Sequence, residues 1–240
     1  MSEYDPFAEI YDEWSGHMTE DVAFYVDLAR EAEGPIVELA VGNGRVAIPV
    51  ARETGRRVIG IDLSPAMLAQ ARERADAEGV GLELREGDMR DFELEEPAGL
   101  IYSPFRALLH MPTWQDRRRV FDLVAAGLRP GGRFAWNVFV FDPSIAARFS
   151  AAGVRQHAEN SRIWERTEYD PTDSRIDITA WVGQPGEGER KLSLWWVNRS
   201  EWEGLIEVAG LEVEALYGGF DRRPLGKDDR EFIWVARKPA

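Results

Sequence analysis

The chain of 240 residues contains no cysteine. This absence excludes disulfide bonds, cysteine-ligated zinc, iron–sulfur clusters and catalytic thiols. Histidine is scarce as well, with only His17, His110 and His157, and no two of them stand at the four-residue spacing of a metal-binding pair on a helix. We therefore expect no metal site.

Positive charge is also in short supply. Lysine and arginine number 29 against 43 aspartates and glutamates, which leaves a formal net charge of −14. Proteins that bind nucleic acid or anionic membranes rely on Lys and Arg, so this balance argues against both kinds of partner. The run from Arg117 to Arg119 is the one visible cluster of positive charge, and such a run is typical of a solvated helix face.

Long hydrophobic runs are missing. No stretch approaches the roughly 20 apolar residues that a membrane-spanning helix needs, and the acidic N-terminus, MSEYDPFAEIYDEW, lacks the apolar core of a signal peptide. The sequence therefore predicts a cytoplasmic protein. Hydrophobic residues still make up 44% of the chain, enough for a packed core, and the length is typical of a single domain covering 1–240.

The first 141 residues alternate between short apolar runs and segments with helical spacing. Continuous apolar strands separated by helices indicate a parallel sheet that is covered on both faces. The sequence therefore predicts an α/β fold. The strand candidates are Ile36 to Ala40, Val58 to Ile61, Leu82 to Leu84, Gly99 to Tyr102 and Phe134 to Phe139.

The pattern changes after residue 141. Residues 155–199 are rich in β-branched and aromatic residues broken by turn signals, which predicts a small antiparallel β insert. The segment from Ser200 to Glu203 has the form of a capping box that opens a helix, and two closing strands follow. We interpret 1–34 as an N-terminal helical cap, 35–142 and 200–240 as the α/β core, and the insert as a lid, a dimer surface or plain core.

The strongest local motif is a strand that enters a glycine turn, Glu38-Leu-Ala-Val-Gly-Asn-Gly44. Glycine suits a tight turn that a ligand approaches closely. Asp62 follows Gly42 by 20 residues, at the end of the second strand, where a carboxylate can accept hydrogen bonds from ribose hydroxyls. The turn also satisfies the dinucleotide fingerprint as Gly42-x-Gly44-x-x-Ala47, so at this point an NAD site stays open.

Three further motifs accompany the turn: Gly60-Ile-Asp-Leu-Ser-Pro-Ala-Met-Leu68, Gly87-Asp88-Met89 and Leu128-Arg-Pro-Gly-Gly-Arg133. With them, the sequence resembles the class I S-adenosylmethionine-dependent methyltransferases over residues 36 to 141. The resemblance implies a Rossmann-like, doubly wound and mostly parallel seven-stranded sheet with a C-terminal antiparallel strand pair. Ala40 stands where the family commonly has its first glycine, and we expect it to narrow the turn only slightly.

The resemblance also implies roles for particular residues in holding S-adenosylmethionine. Asp62 would bind the ribose, Leu63 and Met67 would flank the adenine, and Asp88 would accept from the adenine amino group beside Met89. An ordinary turn aspartate is the alternative for Asp88. Gly42 and Gly44 would lie against the amino acid portion, and Ser103 and Pro104 would border the methyl group. Glu38 and Ala40 of the same glycine motif would also belong to the cofactor site.

Two residues are candidates for catalysis. His110 lies past the fourth strand, at the ligand-binding edge of such folds, and histidine is suited to removing a proton near neutral pH. Tyr11 belongs to a Tyr-Asp segment like the one with which many small-molecule methyltransferases cover the cofactor. It would bond the methionyl carboxylate or face the sulfonium, whose positive charge an aromatic ring attracts. A structural role is the alternative for each of them.

The sequence thus predicts an S-adenosylmethionine-dependent methyltransferase that methylates N or O of a small molecule and releases S-adenosylhomocysteine. A homodimer is compatible with the aromatic insert. Two other hypotheses stay open at this stage: an NAD(P)-dependent oxidoreductase that uses the same glycine turn, and a non-catalytic ligand-binding protein of this fold.

Overall fold

The computed structural model describes residues 3–15 and 18–240. Within these ranges the strands form one sheet of seven strands and another of four. In chain order the strands are β1 (Ile36–Leu39), β2 (Val58–Asp62), β3 (Glu83–Glu86), β4 (Ala98–Ser103), β5 (Leu128–Phe139), β6 (Arg155–Gln156), β7 (Ile163–Asp170), β8 (Arg175–Val182), β9 (Arg190–Trp195), β10 (Glu212–Tyr217) and β11 (Glu231–Arg237).

Helices connect and cover these strands. Two short 3₁₀ helices span Asp5–Ile10 and Ala107–His110. No helix among the described residues is long and apolar enough to cross a membrane. The α-helices are α1 (Tyr11–Ser15), α2 (Glu20–Glu31), α3 (Ala47–Thr54), α4 (Pro65–Glu78), α5 (Trp114–Gly127), α6 (Pro143–Ala152) and α7 (Arg199–Val208).

The large sheet has the order β10-β11-β5-β4-β1-β2-β3. Strands β1 to β5 are mutually parallel, whereas β11 runs antiparallel to both of its neighbours, β5 and β10. The strand order reverses between β1 and β4, and ligands of open α/β sheets bind at such a reversal. The predicted fold class is therefore confirmed.

Alternating strand residues fill two hydrophobic layers. Val37 and Leu39 of β1 point into a cluster with Phe121 of α5 and Trp202 of α7, whereas Ile36 points into a cluster on the opposite face with α2 and α3. Burial on both faces explains why the strands are apolar throughout. Helices on both sides thus hold the carboxyl ends of β1, β2 and β4 in fixed positions.

The four-stranded sheet is antiparallel, with the order β6-β7-β8-β9. One of its faces packs on the N-terminal part of the chain: Phe7 and Ile10 share a buried cluster with Ile163, Ala180 and Leu192. We call residues 3–15 the cover, because they lie between this sheet and the pocket described below.

Several local expectations are confirmed and others are wrong. Ser64-Pro65 has the sequence pattern of an N-cap followed by the first helical residue, and Ser64 does cap α4, accepting from the Met67 N–H at 3.2 Å. Helix α7, however, begins earlier than the capping box indicates, because Asn198 accepts from the Glu201 N–H at 2.9 Å. Arg117, which the sequence places on a solvated helix face, is buried. Its guanidinium forms an ion pair with Glu201.

Candidate active site

A pocket of about 340 Å³ lies at the carboxyl ends of β1, β2 and β4, beneath the cover. This size is within the range of small-molecule sites. Most of the residues singled out from the sequence line it, and they come from five separate segments of the chain. The predicted residues in its wall are Tyr11, Ala40, Gly42, Asp62, Leu63, Met67, Met89, Pro104 and His110.

The turn after β1 has left-handed backbone at Ala40 (φ 58°), Gly42 (φ 55°) and Gly44 (φ 81°). A Cβ on Gly42 would meet nothing within 4 Å, so this glycine leaves open space beside the pocket, whereas a Cβ on Gly44 would lie 2.9 Å from Ile48 Cδ1. Gly44 therefore serves packing and does not line the pocket. Ala40 also costs conformational free energy, because a non-glycine residue adopts this left-handed backbone unfavourably. The expectation of a slightly narrower turn does not include this cost.

Asp62 joins the end of β2 to the glycine turn. Its Oδ2 accepts from the Gly42 N–H at 2.7 Å, and its Oδ1 accepts from the Ser64 N–H at 2.8 Å. Burial raises the pKa of Asp62, and the two N–H bonds act in the opposite direction. A carboxylate has about four acceptor sites. Asp62 therefore retains acceptor capacity on its pocket side for two hydroxyl groups.

The wall beyond Asp62 is apolar. Leu63 is 46% exposed, whereas Met67 and Met89 are buried, and all three line the pocket. The structure does not bring Asp88 into this wall. Its carboxylate instead accepts from Arg90 Nη2 at 2.6 Å and Nε at 3.0 Å, and Arg90 is the residue that reaches the pocket.

Glu38 and Ser103 also lie behind the lining rather than in it. Glu38 is 1% exposed and accepts a hydrogen bond from the Tyr102 hydroxyl at 2.7 Å. Burial raises the pKa of Glu38 to about 8, so the side chain holds a proton at neutral pH. Ser103 is fully buried beside Pro104.

The cover contributes two tyrosines, Tyr4 and Tyr11, whose rings meet edge to face at 6.2 Å between centroids. Burial raises the pKa of Tyr11 to about 12 and that of Tyr4 well above its usual value, so both hydroxyls keep their protons. The cover is fastened to α4, where Ser64 Oγ donates to Asp5 at 2.6 Å. Sequence reasoning missed Tyr4, because nothing local distinguishes it from a packing residue.

His110 lies between two residues of the cover. Its Nδ1 is 2.8 Å from Glu3 Oε1, and its Nε2 is 2.9 Å from the Tyr4 hydroxyl. A carboxylate can only accept, so Nδ1 donates to Glu3, and in that tautomer Nε2 accepts a hydrogen bond from the Tyr4 hydroxyl. In that tautomer Nε2 carries no hydrogen, and His110 lines the pocket in the arrangement of a histidine base oriented by a carboxylate.

These residues fit a nucleoside joined to an amino acid. Asp62 has acceptor capacity for a ribose, Leu63, Met67 and Met89 form an apolar slot for a base, and the space at Gly42 admits a chain close to the backbone. The Tyr11 ring, whose centroid lies 6.2 Å from that of Phe105, supplies an aromatic face that attracts a cation, whereas the Phe105 ring already has the Arg45 guanidinium 5.3 Å from its centroid. This combination suits S-adenosylmethionine, whose sulfonium is positively charged.

Comparison with known proteins agrees. A family model described as a methyltransferase domain matches residues 36–132. The chain is 28% identical over 211 residues to a dTDP-3-amino-3,4,6-trideoxy-alpha-D-glucopyranose N,N-dimethyltransferase of Streptomyces venezuelae, covering 85% of this chain and 86% of that protein. It is also 28% identical over 242 residues, 93% of each chain, to a dTDP-4-amino-2,3,4,6-tetradeoxy-D-glucose N,N-dimethyltransferase of Saccharopolyspora spinosa.

The fold of this chain is also similar to that of a methyltransferase of known structure. The CcbJ methyltransferase of Streptomyces caelestis superposes with a TM-score of 0.84 at 26% identity, covering 100% of this chain and 99% of that one. The predicted enzyme class and cofactor are thereby confirmed, and the oxidoreductase alternative has no support. The methyltransferase family model, the methyltransferase relatives and the solved methyltransferase structure together support a class I S-adenosylmethionine-dependent methyltransferase that uses S-adenosylmethionine as its methyl donor.

Proposed function

We propose that this enzyme methylates the amine of a small molecule, with an amino sugar as the preferred acceptor class. The observation that carries the proposal is the contact of His110 with Glu3 and Tyr4 in the pocket wall. An aliphatic amine is protonated near neutral pH, so it must lose a proton before its lone pair can attack. A histidine oriented by a carboxylate can receive that proton.

The charge of the wall favours a cationic acceptor. Glu3 and Asp62 are acidic, and Arg90, the one Lys or Arg that lines the pocket among residues 3–15 and 18–240, is paired with Asp88 and Asp116. An arriving ammonium group would meet carboxylates and aromatic faces rather than repulsion. In this proposal the hydrogen bond between the Tyr4 hydroxyl and His110 Nε2 breaks when the acceptor binds. The acceptor amine then takes the position of the Tyr4 hydroxyl.

The cofactor would be held by the residues already described. S-adenosylmethionine supplies an activated methyl group on sulfur, so the protein has mainly to position the acceptor and exclude water. In this arrangement Asp62 binds the ribose, Leu63, Met67 and Met89 enclose the adenine, and Asp88 acts indirectly by fixing Arg90. Glu38 and Gly44 support the turn from behind, while Gly42 and Pro104 contact the methionine portion and the methyl group.

The four-stranded sheet would support the cover. Glu13 accepts from Arg162 Nε at 2.7 Å, and the Pro6 carbonyl accepts from Arg190 Nε at 2.6 Å, in addition to the shared apolar cluster. The insert therefore serves as a platform that holds Tyr4 and Tyr11 over the pocket. Because acceptor and cofactor must enter beneath the cover, this platform would also influence their exchange.

Two relatives support the same acceptor class, since both are N,N-dimethyltransferases of deoxyamino sugars carried on dTDP. The net charge of −14 supports a small-molecule acceptor over nucleic acid or a membrane.

A paired-substrate assay tests the proposal. The enzyme is incubated with S-adenosylmethionine and either a nucleotide-linked amino sugar or the matched sugar with a hydroxyl at the same carbon. The masses of the products are then measured by mass spectrometry. We expect the amino sugar to gain one or two methyl groups and the hydroxyl sugar none. Methylation of the hydroxyl sugar alone would contradict the amine assignment, and inertness toward all amino sugars would refute the acceptor class.

A further inference from the structure

The pocket wall between β4 and His110 turns through two consecutive non-glycine residues with left-handed backbone, Phe105 (φ 55°) and Arg106 (φ 64°). Each such residue costs free energy and persists only where surrounding contacts fix it, and such residues cluster at functional sites. Phe105, Ala107 and His110 all line the pocket. The position of this wall therefore depends on whatever holds the turn.

The contacts that hold the turn come from two strands behind it. Asn137 of β5 is 1% exposed, and its Oδ1 accepts from the Phe105 N–H at 2.9 Å. Glu231 of β11 accepts from Arg106 through Oε1 at 3.2 Å and Oε2 at 2.9 Å. Each left-handed residue thus has its own partner on the sheet.

The two partners are joined to each other. Asn137 Nδ2 donates to Glu231 Oε1 at 2.7 Å, across the antiparallel pair formed by β5 and β11. Asn137 Oδ1 also accepts from the Tyr25 hydroxyl at 3.0 Å, which fixes the amide orientation. Since both oxygen and nitrogen of the amide are used, no other side chain of similar size satisfies this set of donors and acceptors.

We propose that Asn137 and Glu231 are positioning residues for cofactor binding: they hold the Phe105–Arg106 turn and thereby set the pocket wall from Pro104 to Met111. Neither residue lines the pocket, so they act through the turn. The inference concerns the binding of the cofactor by this chain and does not depend on which acceptor it uses.

The test compares Asn137→Ala with Tyr25→Phe. Both variants remove the hydrogen bond between Tyr25 and Asn137, but only the first removes the acceptor for the Phe105 N–H. Hydrogen exchange of residues 104–111 reports the turn, and calorimetric titration with S-adenosylhomocysteine reports the pocket. We expect Asn137→Ala to accelerate exchange of this segment and to weaken binding by about tenfold, as for one lost buried hydrogen bond, with Tyr25→Phe near wild type.

A second pair keeps the test decisive if Asn137→Ala fails to fold. Arg106→Ala removes the half-exposed outer contact with Glu231, whereas Arg133→Ala removes a comparable set of ion pairs, with Glu31 and Glu214, at the other end of β5. We expect faster exchange of residues 104–111 in Arg106→Ala alone. Equal exchange and equal affinity within each pair would mean that these contacts only stabilise the fold, and the proposal would be wrong.

Discussion

The Gly42 N–H donates to Asp62 Oδ2 at 2.7 Å, so the turn after β1 and the end of β2 are fixed to each other by the carboxylate that faces the pocket. Two motifs separated by 20 residues of sequence thereby become one surface. The Asp62 carboxylate accepts from the Gly42 N–H and still has acceptor capacity for a ligand. Removal of this carboxylate should therefore lower the affinity for the cofactor.

We predict that Asp62→Ala weakens binding of S-adenosylhomocysteine by about 1.5–3 kcal/mol, the contribution of hydrogen bonds to a charged acceptor. Calorimetric titration measures it. Asp88→Ala is the matched control, because its carboxylate is taken up by Arg90 and does not line the pocket. A loss that acts only through Arg90 should be smaller than the loss in Asp62→Ala, and equal losses would contradict this indirect role of Asp88.

For His110, the prediction concerns turnover with the amino-sugar acceptor. His110→Asn should lower kcat by about 10²- to 10⁴-fold if the imidazole receives the acceptor proton. Tyr4→Phe should retain or raise activity, because it leaves Nε2 available to the acceptor. Similar losses in both variants would instead mean that His110 only holds the cover in place.

Glu38 makes stability depend on pH in a defined direction. Its folded pKa of about 8 lies above that of the unfolded chain, so the folded state keeps a proton that the unfolded state releases. The free energy of unfolding should therefore fall as pH rises from about 4.5 to about 8, by a few kcal/mol. In Glu38→Gln this slope should be largely lost, and chemical denaturation across that range measures it. An unchanged slope would contradict the assignment.

His157 should have a pH effect of its own on the cover. Its Nδ1 lies 2.9 Å from Glu165 and its Nε2 lies 3.0 Å from the Trp14 carbonyl, so both nitrogens face acceptors and the hydrogen bond to Glu165 raises the pKa of His157. Arg155, which also pairs with Glu165, acts in the opposite direction.

The stabilisation from protonated His157 is fully present below the unfolded pKa of about 6.5 and is lost as pH rises through the higher folded pKa. His157→Gln should therefore reduce stability more at mildly acidic than at alkaline pH, as measured by denaturation. A difference that grows with rising pH would be inconsistent with this contact.

Ala40→Gly should stabilise the protein. Relief of a left-handed alanine is worth about 1–2 kcal/mol, and the extra freedom of glycine in the unfolded chain offsets about 0.4–1 kcal/mol of it. Denaturant unfolding should show a net gain of up to about 1.5 kcal/mol. A destabilised variant would mean that the alanine methyl group makes a compensating contact.

The sequence predicts the α/β order and the glycine turn because their signals are local: apolar runs, an N-cap such as Ser64 with Pro65, and glycines of fixed spacing. Local signals also compete. Asn198 and Ser200 can both cap a helix, and the structure uses the first. Helix α6 was missed although Asp142 and Pro143 repeat the Ser64-Pro65 pattern.

The candidate site was less predictable because its contacts join distant parts of the chain. Tyr4 meets His110 across 106 residues, and Asn137 meets Phe105 across 32. No spacing rule connects such pairs. The backbone conformation of Phe105 and Arg106 was equally hidden, since Ser103-Pro104 before them indicates a turn but bulky residues seldom adopt positive φ.

The most direct test of the whole account is a calorimetric titration of the unaltered protein with S-adenosylhomocysteine and, separately, with NADH. We predict saturable binding of S-adenosylhomocysteine at one site per chain and no binding of NADH. Binding of NADH alone would contradict the account, because the pocket would then serve a dinucleotide rather than a methyl donor.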